Sequence, residues 1–226
     1  METYNLPAKP KVLVFDIDST LYTCPKYAFE QIDCQVRHYA DLNGLTHENA
    51  RKMIRELRKK WASEHDGKKI SLGNLFVTLG VSIETSIEWR KTLFDPFDYL
   101  KKDERLIKTM AELSKSFYSI CVTNNPVLPA RKTLEAIGIS QFIPHIVGLD
   151  TCFASKPSEK ILEKAVLLAS EDLRKNISYS ECISVGDRFD IDLDLPLRLG
   201  MGGILVSGVE DVWDLHQKLP QLVAKN

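Results

Sequence analysis

Short apolar runs alternate with amphipathic stretches along most of the chain, and these runs predict the strands of a sheet. The runs are rich in Val, Ile, Leu and Phe and end abruptly at polar residues, which is typical of buried strands. The predicted strands lie in KVLVFD, FYSICVTNN, HIVGLD, ECISVGD and GGILVSG. Between them, apolar residues three and four apart predict helices. This alternation indicates an α/β protein with a parallel sheet and helices on both faces.

Residues 23–103 interrupt the alternation, because their pattern is helical throughout. One helix is predicted from about Pro25 to Leu42, and a second follows with Thr46 as its N-cap. An all-helical segment placed directly after the first strand is expected to act as a cap over the end of that strand. The predicted organisation is therefore a core of residues 1–22 and 104–226 with a helical cap of residues 23–103.

Composition narrows the class of protein. The chain has 226 residues, of which 44% are hydrophobic, enough for a buried core and a smaller insert. A net charge of −1 offers no general attraction to nucleic acid, and no apolar run reaches the roughly 20 residues that a membrane span needs. Five scattered cysteines and a polar start favour a cytoplasmic protein with reduced thiols. The sequence leaves open whether the protein is a monomer or a homodimer.

Polar residues of unusual type mark four of the predicted strand–helix crossings. They are Asp16, Asp18 and Thr20 at the first, Thr123 and Asn124 at the second, Lys156 ahead of a helix that Pro157 is expected to start, and Asp187 and Asp192 at the fourth. Parallel strands end at one edge of a sheet, so these side chains should converge. Two carboxylates ~4 Å apart repel by about 4 kcal/mol at an effective dielectric near 20, and one lysine does not offset four acids. The cluster therefore predicts a hard divalent cation, and Mg²⁺ fits carboxylate and phosphate ligands.

The segments DIDST, TNN, KP and GDRFDID occur in the order of the four motifs of haloacid dehalogenase-like (HAD) hydrolases, which the chain resembles from about Lys11 to Val206. The helical insert resembles the first cap class of that superfamily. The resemblance implies a Rossmann-like core and a magnesium-dependent phosphomonoesterase that forms an aspartyl phosphate. The acid at Asp18 distinguishes the chain from the dehalogenases and the phosphate-transferring pumps of the superfamily.

The resemblance also implies a role for each matching residue. Asp16 is expected to attack phosphorus, and Asp18 to protonate the leaving oxygen and later take a proton from water. Lys156 is expected to stabilise charge on the nucleophile and the transferring group. Phosphate oxygens would be held by Thr123, Lys156 and the backbone N–H groups around Ile17, Ser19 and Asn124. Magnesium would be bound by Asp16, the Asp18 carbonyl, Asp187 and Asp192, and which of the last two is closer stays open.

The sequence indicates the substrate less specifically than the reaction. DIDSTLY, LTHENA and DPFDYLKKDERL are similar to pyrimidine 5′-nucleotidase-like members, whereas GDRFDID differs from the Asp-Asp-Ser usual in their fourth motif. We expect a small phosphorylated metabolite, with a nucleoside 5′-monophosphate first. A sugar-phosphate or phosphoglycolate-type phosphatase is the alternative, and a phosphate-accepting regulatory or binding module is a further one. Neither a nucleic acid nor a membrane is expected as a partner.

A basic stretch occupies residues 51–69, with eight Lys or Arg against three acids. A solvated helix face explains it most simply. A surface that draws anionic substrates is the functional alternative, and nucleic-acid binding is third, because the stretch lacks aromatic residues interleaved with its basic ones for base stacking.

Overall fold

The computed structural model describes residues 1–67 and 70–224, which form two compact units. An α/β unit comprises Met1–Cys24 and Pro96–Asn226, and a helical unit comprises Pro25–Asp95. Residues 96–103 of the expected cap thus belong to the α/β unit. The last two lysines of the basic stretch, Lys68 and Lys69, lie outside the described residues. The role of the helical segment as a cap stays a prediction.

The α/β unit is built on one six-stranded sheet in the order β1-β6-β5-β2-β3-β4. The strands are β1 (Glu2–Tyr4), β2 (Val12–Phe15), β3 (Tyr118–Val122), β4 (Ile146–Val147), β5 (Cys182–Gly186) and β6 (Gly202–Leu205). Strands β2 to β6 are parallel, as the alternation predicts. Strand β1 pairs antiparallel with β6, so the sheet is mixed. The pattern of apolar residues missed β1, because its residues are polar or aromatic and only its partner defines it.

Helices surround the sheet and make up the second unit. The helical unit contains α1 (Pro25–Leu42), α2 (His47–Glu64), α3 (Leu72–Thr78) and α4 (Ile83–Thr92). The α/β unit contains α5 (Glu104–Leu113), α6 (Val127–Ala136), α7 (Leu149–Cys152), α8 (Glu159–Leu173), α9 (Asp194–Arg198), α10 (Val209–Val212) and α11 (Leu215–Val223). No helix in the described part of the chain is both long and apolar enough to cross a bilayer.

The central strand β2 is buried on both faces of the sheet. All four of its residues, Val12–Phe15, are at most 2% exposed. Successive strand residues point to opposite faces, so full burial requires cover on both sides. On one face, Val12 and Val14 share a hydrophobic core with Ile161 and Ala165 of α8. The predicted strand therefore ends inside the protein, and the polar residues that follow begin in a largely dry environment.

The helical unit has its own hydrophobic core and defined helix starts. Thr46 is the N-cap of α2, as predicted, and its side chain accepts a hydrogen bond from the Asn49 N–H at 3.2 Å. Ile54 of α2 packs in one core with Phe76 of α3 and Trp89 of α4. This core lets the helical segment bury its own apolar surface.

A buried carboxylate in the helical unit is fully matched by arginines. Asp33 is 4% exposed and accepts two hydrogen bonds from Arg51, both of 2.7 Å, and one from Arg37 of 2.5 Å. Arg37 also pairs with Glu30. The Arg51 hydrogen bonds, supported by Arg37, hold the pKa of Asp33 below its usual value although burial acts against them. These four residues, the Asp33 cluster, carry two negative and two positive charges.

Candidate active site

The sheet register brings several polar residues to one edge. Strand β2 lies between β3 and β5, and Phe15 is paired with Cys121 on one side and Val185 on the other. Asp16 continues the ladder, since its N–H donates to the Val185 carbonyl at 2.8 Å. Thr123 and Asp187 follow directly after β3 and β5, so both emerge beside Asp16 at the carboxyl edge of the sheet, where α/β proteins bind ligands.

Three aspartates and one lysine form a compact group at this edge, which we call the Asp16 cluster. One carboxylate oxygen each from Asp16, Asp187 and Asp192 lies within 4.8 Å of the others. Lys156 Nζ donates to Asp16 Oδ1 at 2.5 Å and to Asp192 Oδ1 at 2.7 Å. Asp16 and Asp192 are 6% and 3% exposed. The sequence-predicted acids and lysine are therefore together, with a formal charge of −2 when all four are ionised.

The pKa shifts in the Asp16 cluster follow from its burial and its excess of acids. Burial raises the pKa of Asp16 to about 7; Lys156 lowers it, and Asp192 and Asp18 raise it. Burial also raises the pKa of Asp187, with Asp192 adding to the effect. Burial disfavours the charged form of Lys156, but Asp16 and Asp192 hold its pKa above the usual value. The one ammonium group does not neutralise the three carboxylates.

Asp192 is placed by a wide helical turn over Phe189–Leu193 that follows β5. Its Oδ2 accepts a hydrogen bond from the Arg188 N–H at 3.1 Å, and its carbonyl accepts one from the Ser184 hydroxyl at 2.7 Å. The backbone of Gly186 approaches closely, since a Cβ at this position would lie 2.4 Å from the Asp192 Cβ. Glycine at the end of β5 is therefore required for Asp192 to occupy its place beside Asp16.

The turn after β2 orients Asp16 through its own residues. Thr20 is fully buried, and its hydroxyl donates to Asp16 Oδ2 at 3.1 Å. The Leu21 N–H donates to the Ile17 carbonyl at 3.0 Å and closes the turn. Ser19 has a φ of 61°, in the left-handed region that is strained for a residue with a side chain. The sequence placed Thr20 with Asp16 and Asp18 at the end of the first strand but assigned it no role.

The Asp18 carboxylate is held by hydrogen bonds from two residues that are not part of the Asp16 cluster. The Tyr22 hydroxyl donates to Asp18 Oδ1 at 2.5 Å, and the Asn125 amide donates to Asp18 Oδ2 at 2.8 Å. Tyr22 comes from the same turn, whereas Asn125 comes from the end of β3, 107 residues away. Sequence reasoning assigned neither residue. The second asparagine of TNN was the available signal for Asn125, and nothing in the pattern singled out Tyr22.

The residues after β3 and before α8 are linked through one asparagine. The Asn124 side chain accepts a hydrogen bond from the Lys156 N–H at 2.6 Å. The buried Thr123 hydroxyl accepts one from the Asn125 N–H at 3.1 Å. The expectation that Pro157 starts a helix was wrong. Ser158 is the N-cap and α8 begins at Glu159, so Lys156 lies on the loop ahead of the helix and not at its first turn.

Comparisons with known proteins relate this chain to a protein family and to a similar protein. The family model described as "Haloacid dehalogenase-like hydrolase" matches residues 13–202. A glyceraldehyde 3-phosphate phosphatase from Methanopyrus kandleri is 26% identical over 198 residues, which cover 84% of this chain and 81% of that protein.

Two solved structures show the same fold. A HAD phosphatase from Thermococcus onnurineus is 22% identical, with a TM-score of 0.54 and coverage of 87% of this chain and 86% of that one. A Bacillus subtilis protein assigned to the HAD hydrolases and bound to magnesium is 14% identical, with a TM-score of 0.57 and coverage of 92% and 99%. At these identities the likeness concerns the fold.

Proposed function

We propose that this chain, which belongs to the haloacid dehalogenase-like hydrolases, is a magnesium-dependent phosphatase that acts on small phosphorylated metabolites through a phosphorylated Asp16. The observation that carries the proposal is the Asp16 cluster, in which three carboxylates lie close together at the carboxyl edge of the sheet and one ammonium group pairs with two of them. The cluster contains a nucleophile, and a separate acid, Asp18, follows it by two residues.

The donor set of the cluster fits magnesium. Asp16, Asp187 and Asp192 supply hard oxygen ligands close together, and their formal charge with Lys156 leaves −2 to be balanced. Mg²⁺ binds such carboxylates together with water and phosphate oxygens. We propose that these three side chains and the Asp18 carbonyl hold the ion, which would supply positive charge that favours ionised Asp16 and the approach of an anionic ester.

The first half of the reaction transfers the phosphoryl group to the protein. An Asp16 carboxylate oxygen forms a bond to phosphorus while the ester P–O bond breaks. Asp18 gives its proton to the departing oxygen, which leaves as an alcohol. Lys156 balances the charge that moves from Asp16 to the phosphoryl oxygens. Thr123 and the backbone N–H groups around Ile17, Ser19 and Asn124 are proposed to hold those oxygens.

The second half returns Asp16 to its starting state. Asp18, now a carboxylate, takes a proton from water, and the water oxygen forms a bond to phosphorus. The bond between phosphorus and Asp16 breaks, and inorganic phosphate leaves. Each turnover consumes one ester and one water and gives one alcohol and one phosphate. Asp18 therefore acts first as an acid and then as a base.

We propose a sugar phosphate as the preferred substrate class. The Methanopyrus kandleri relative is named for a triose phosphate, and its similarity extends over 84% of this chain. The relatives reported above lend no support to a nucleoside 5′-monophosphate, the first expectation from the sequence. We also propose that the helical segment of residues 23–103 is a cap that selects the leaving group.

A panel of phosphate esters tests the proposal. The panel contains glyceraldehyde 3-phosphate, pentose and hexose phosphates, phosphoglycolate and nucleoside 5′-monophosphates, each assayed for phosphate release with magnesium and with a chelator. We expect magnesium-dependent release that is fastest with a sugar phosphate, and none above background with Asp16→Asn. Release by Asp16→Asn at the wild-type rate would contradict the role of Asp16, and preference for a nucleotide would contradict the substrate class.

A further inference from the structure

We propose that Tyr22 and Asn125 are positioning residues that hold Asp18 in line with the leaving group. The inference rests on the proposed function, because it concerns how Asp18 performs its acid step. Both carboxylate oxygens of Asp18 are engaged, Oδ1 by the Tyr22 hydroxyl at 2.5 Å and Oδ2 by the Asn125 amide at 2.8 Å. A carboxylate with a donor on each oxygen cannot rotate about its side-chain bonds without losing a hydrogen bond.

Each of the two donors is itself held. Tyr22 is 4% exposed, so its ring is fixed by packing. The Asn125 N–H donates to the Thr123 hydroxyl at 3.1 Å, and its carbonyl accepts from the Leu149 N–H at 2.9 Å. A Cβ on Gly148 would lie 2.7 Å from the Asn125 carbonyl oxygen, so the backbone that follows β4 packs tightly against Asn125. The support for Asp18 thus extends from β2 to the ends of β3 and β4.

The two adjacent asparagines divide the support of the site between them. Asn124 accepts a hydrogen bond from the Lys156 backbone at 2.6 Å, and Asn125 donates to the Asp18 side chain. One short segment after β3 therefore sets the position of both the lysine beside Asp16 and the acid two residues beyond it. Misplacement by about 1 Å of a group that must reach a reacting atom can cost 10²-fold in rate.

The chemistry of the two donors differs in a way that suits a proton-transfer group. An amide NH₂ only donates, whereas a phenol hydroxyl both donates and accepts. The contact between Tyr22 and Asp18 Oδ1 can therefore persist before and after Asp18 gives up its proton. Tyr22 is accordingly expected to contribute more than Asn125 to the acid step.

The test compares two esters that depend differently on an acid. The p-nitrophenolate ion leaves without a proton, whereas the alkoxide of glycerol phosphate needs one. The value of kcat/KM covers the steps up to phosphoryl transfer to Asp16, and so reports the acid step. For Tyr22→Phe we expect a fall of about 10- to 100-fold with glycerol phosphate and less than about 3-fold with p-nitrophenyl phosphate. The loss is smaller than the roughly 10²- to 10⁴-fold attributed to a general acid itself, because Asp18 is still present. Asn125→Ala should show the same selectivity with a smaller loss.

Two further variants separate positioning from damage to the fold. Tyr118→Phe removes another tyrosine-to-aspartate hydrogen bond, of 2.8 Å to Asp172 at the opposite end of β3, and should leave both esters unaffected. Adding Tyr22→Phe to Asp18→Asn should cause no further loss, because the group being positioned is already absent.

Equal losses with both esters, or a full additional loss in the Asp18→Asn background, would overturn the role of Tyr22 and Asn125. If the wild type releases phosphate with magnesium from neither these two esters nor any ester of the panel described above, the proposed function fails, and that failure is visible before any variant is compared.

Discussion

Two buried carboxylate clusters in this chain differ in their balance of charge. In the helical unit, Asp33 and Glu30 are matched by Arg37 and Arg51, and the pKa of Asp33 is lowered. In the α/β unit, three aspartates lie together with a single cation, Lys156, which pairs with Asp16 and Asp192, and burial raises the pKa of Asp16 to about 7. A balanced cluster stabilises its ionised acids by itself. An unbalanced one needs a charged ligand, and this difference marks the Asp16 cluster as a site.

The largest expected effect is that of Asp16→Asn, in the unbalanced cluster. We expect Asp16→Asn to lower kcat by at least about 10³-fold, because the nucleophile is lost. Its free energy of unfolding without magnesium should not fall, since the change removes one of three crowded negative charges. Steady-state kinetics and urea denaturation measure the two effects. A large loss of stability with retained turnover would reverse the assignment of the cluster.

The second expected effect concerns Gly186, whose backbone makes room for Asp192. Gly186→Ala would place a Cβ 2.4 Å from the Asp192 Cβ and displace that carboxylate. We expect about a 10²-fold loss of activity. We also expect magnesium to raise the melting temperature of the wild type but not that of Gly186→Ala.

A matched glycine in the helical unit controls for the added methyl group. A Cβ on Gly73 would meet only the Arg90 side chain, at an ordinary 3.6 Å. Gly73→Ala should keep activity and gain up to about 1 kcal/mol of stability from helix propensity. Similar activity in the two alanine variants would show that the close approach at Gly186 is not needed.

The third expected effect is on the balanced cluster. Asp33→Asn should cost about 2 kcal/mol of unfolding free energy, less than for a fully buried pair because both arginines reach solvent. The exposed Asp41, which pairs with His47, provides the control, and Asp41→Asn should cost less than about 0.5 kcal/mol.

The pH dependence of the Asp33 effect has a defined sign. The pKa of Asp33 is lower in the folded than in the unfolded chain, so the unfolded chain binds more protons at acidic pH. The contribution of Asp33 is complete above the unfolded pKa of about 4 and disappears as the pH falls through the lower folded pKa. Urea denaturation between these limits should show wild type and Asp33→Asn converging in stability. A constant difference down to the lowest pH would contradict the charge-based explanation.

The smallest expected effect compares backbone strain in the two units. Ser19 beside the Asp16 cluster and Asp66 in the helical unit have φ values of 61° and 52°. Replacement of either by glycine should raise the unfolding free energy by about 0.5 kcal/mol, the left-handed cost less the entropy of glycine. Only Ser19→Gly should also alter kcat, since Ser19 precedes Thr20, which donates to Asp16. If Ser19→Gly and Asp66→Gly changed kcat equally, the backbone conformation of Ser19 would have no specific effect on catalysis.

Much of the fold could be predicted from local pattern. The first strand was predicted because Val12–Phe15 is apolar on both faces, and α1 was predicted from its periodicity and its starting proline. Strand β4 was predicted from the apolar run in HIVGLD, although only two of its residues form the strand. Strand β1 was missed, since its pairing with β6 depends on a partner about 200 residues away in sequence.

The candidate site was likewise predicted in part, where local sequence pattern was sufficient. Asp16, Lys156, Asp187 and Asp192 could be predicted to converge, because parallel strands share one edge. The hydrogen bonds from Tyr22 and Asn125 to Asp18 could not, because they depend on side-chain directions in two separate turns. Pattern therefore places charged groups at an edge, and tertiary packing decides which of them touch.

The short strands at the two margins of the sheet have a consequence for solubility. Strand β4 presents only two residues, and β1 presents three, with Glu2 and Thr3 exposed. Edge strands that are short or carry charged residues have few free backbone groups with which a strand of another chain can pair. Strand β6 is buried and rich in glycine, and would be a ready template for such addition if β1 did not pair with it. By pairing with β6, strand β1 is therefore expected to protect that edge of the sheet from aggregation.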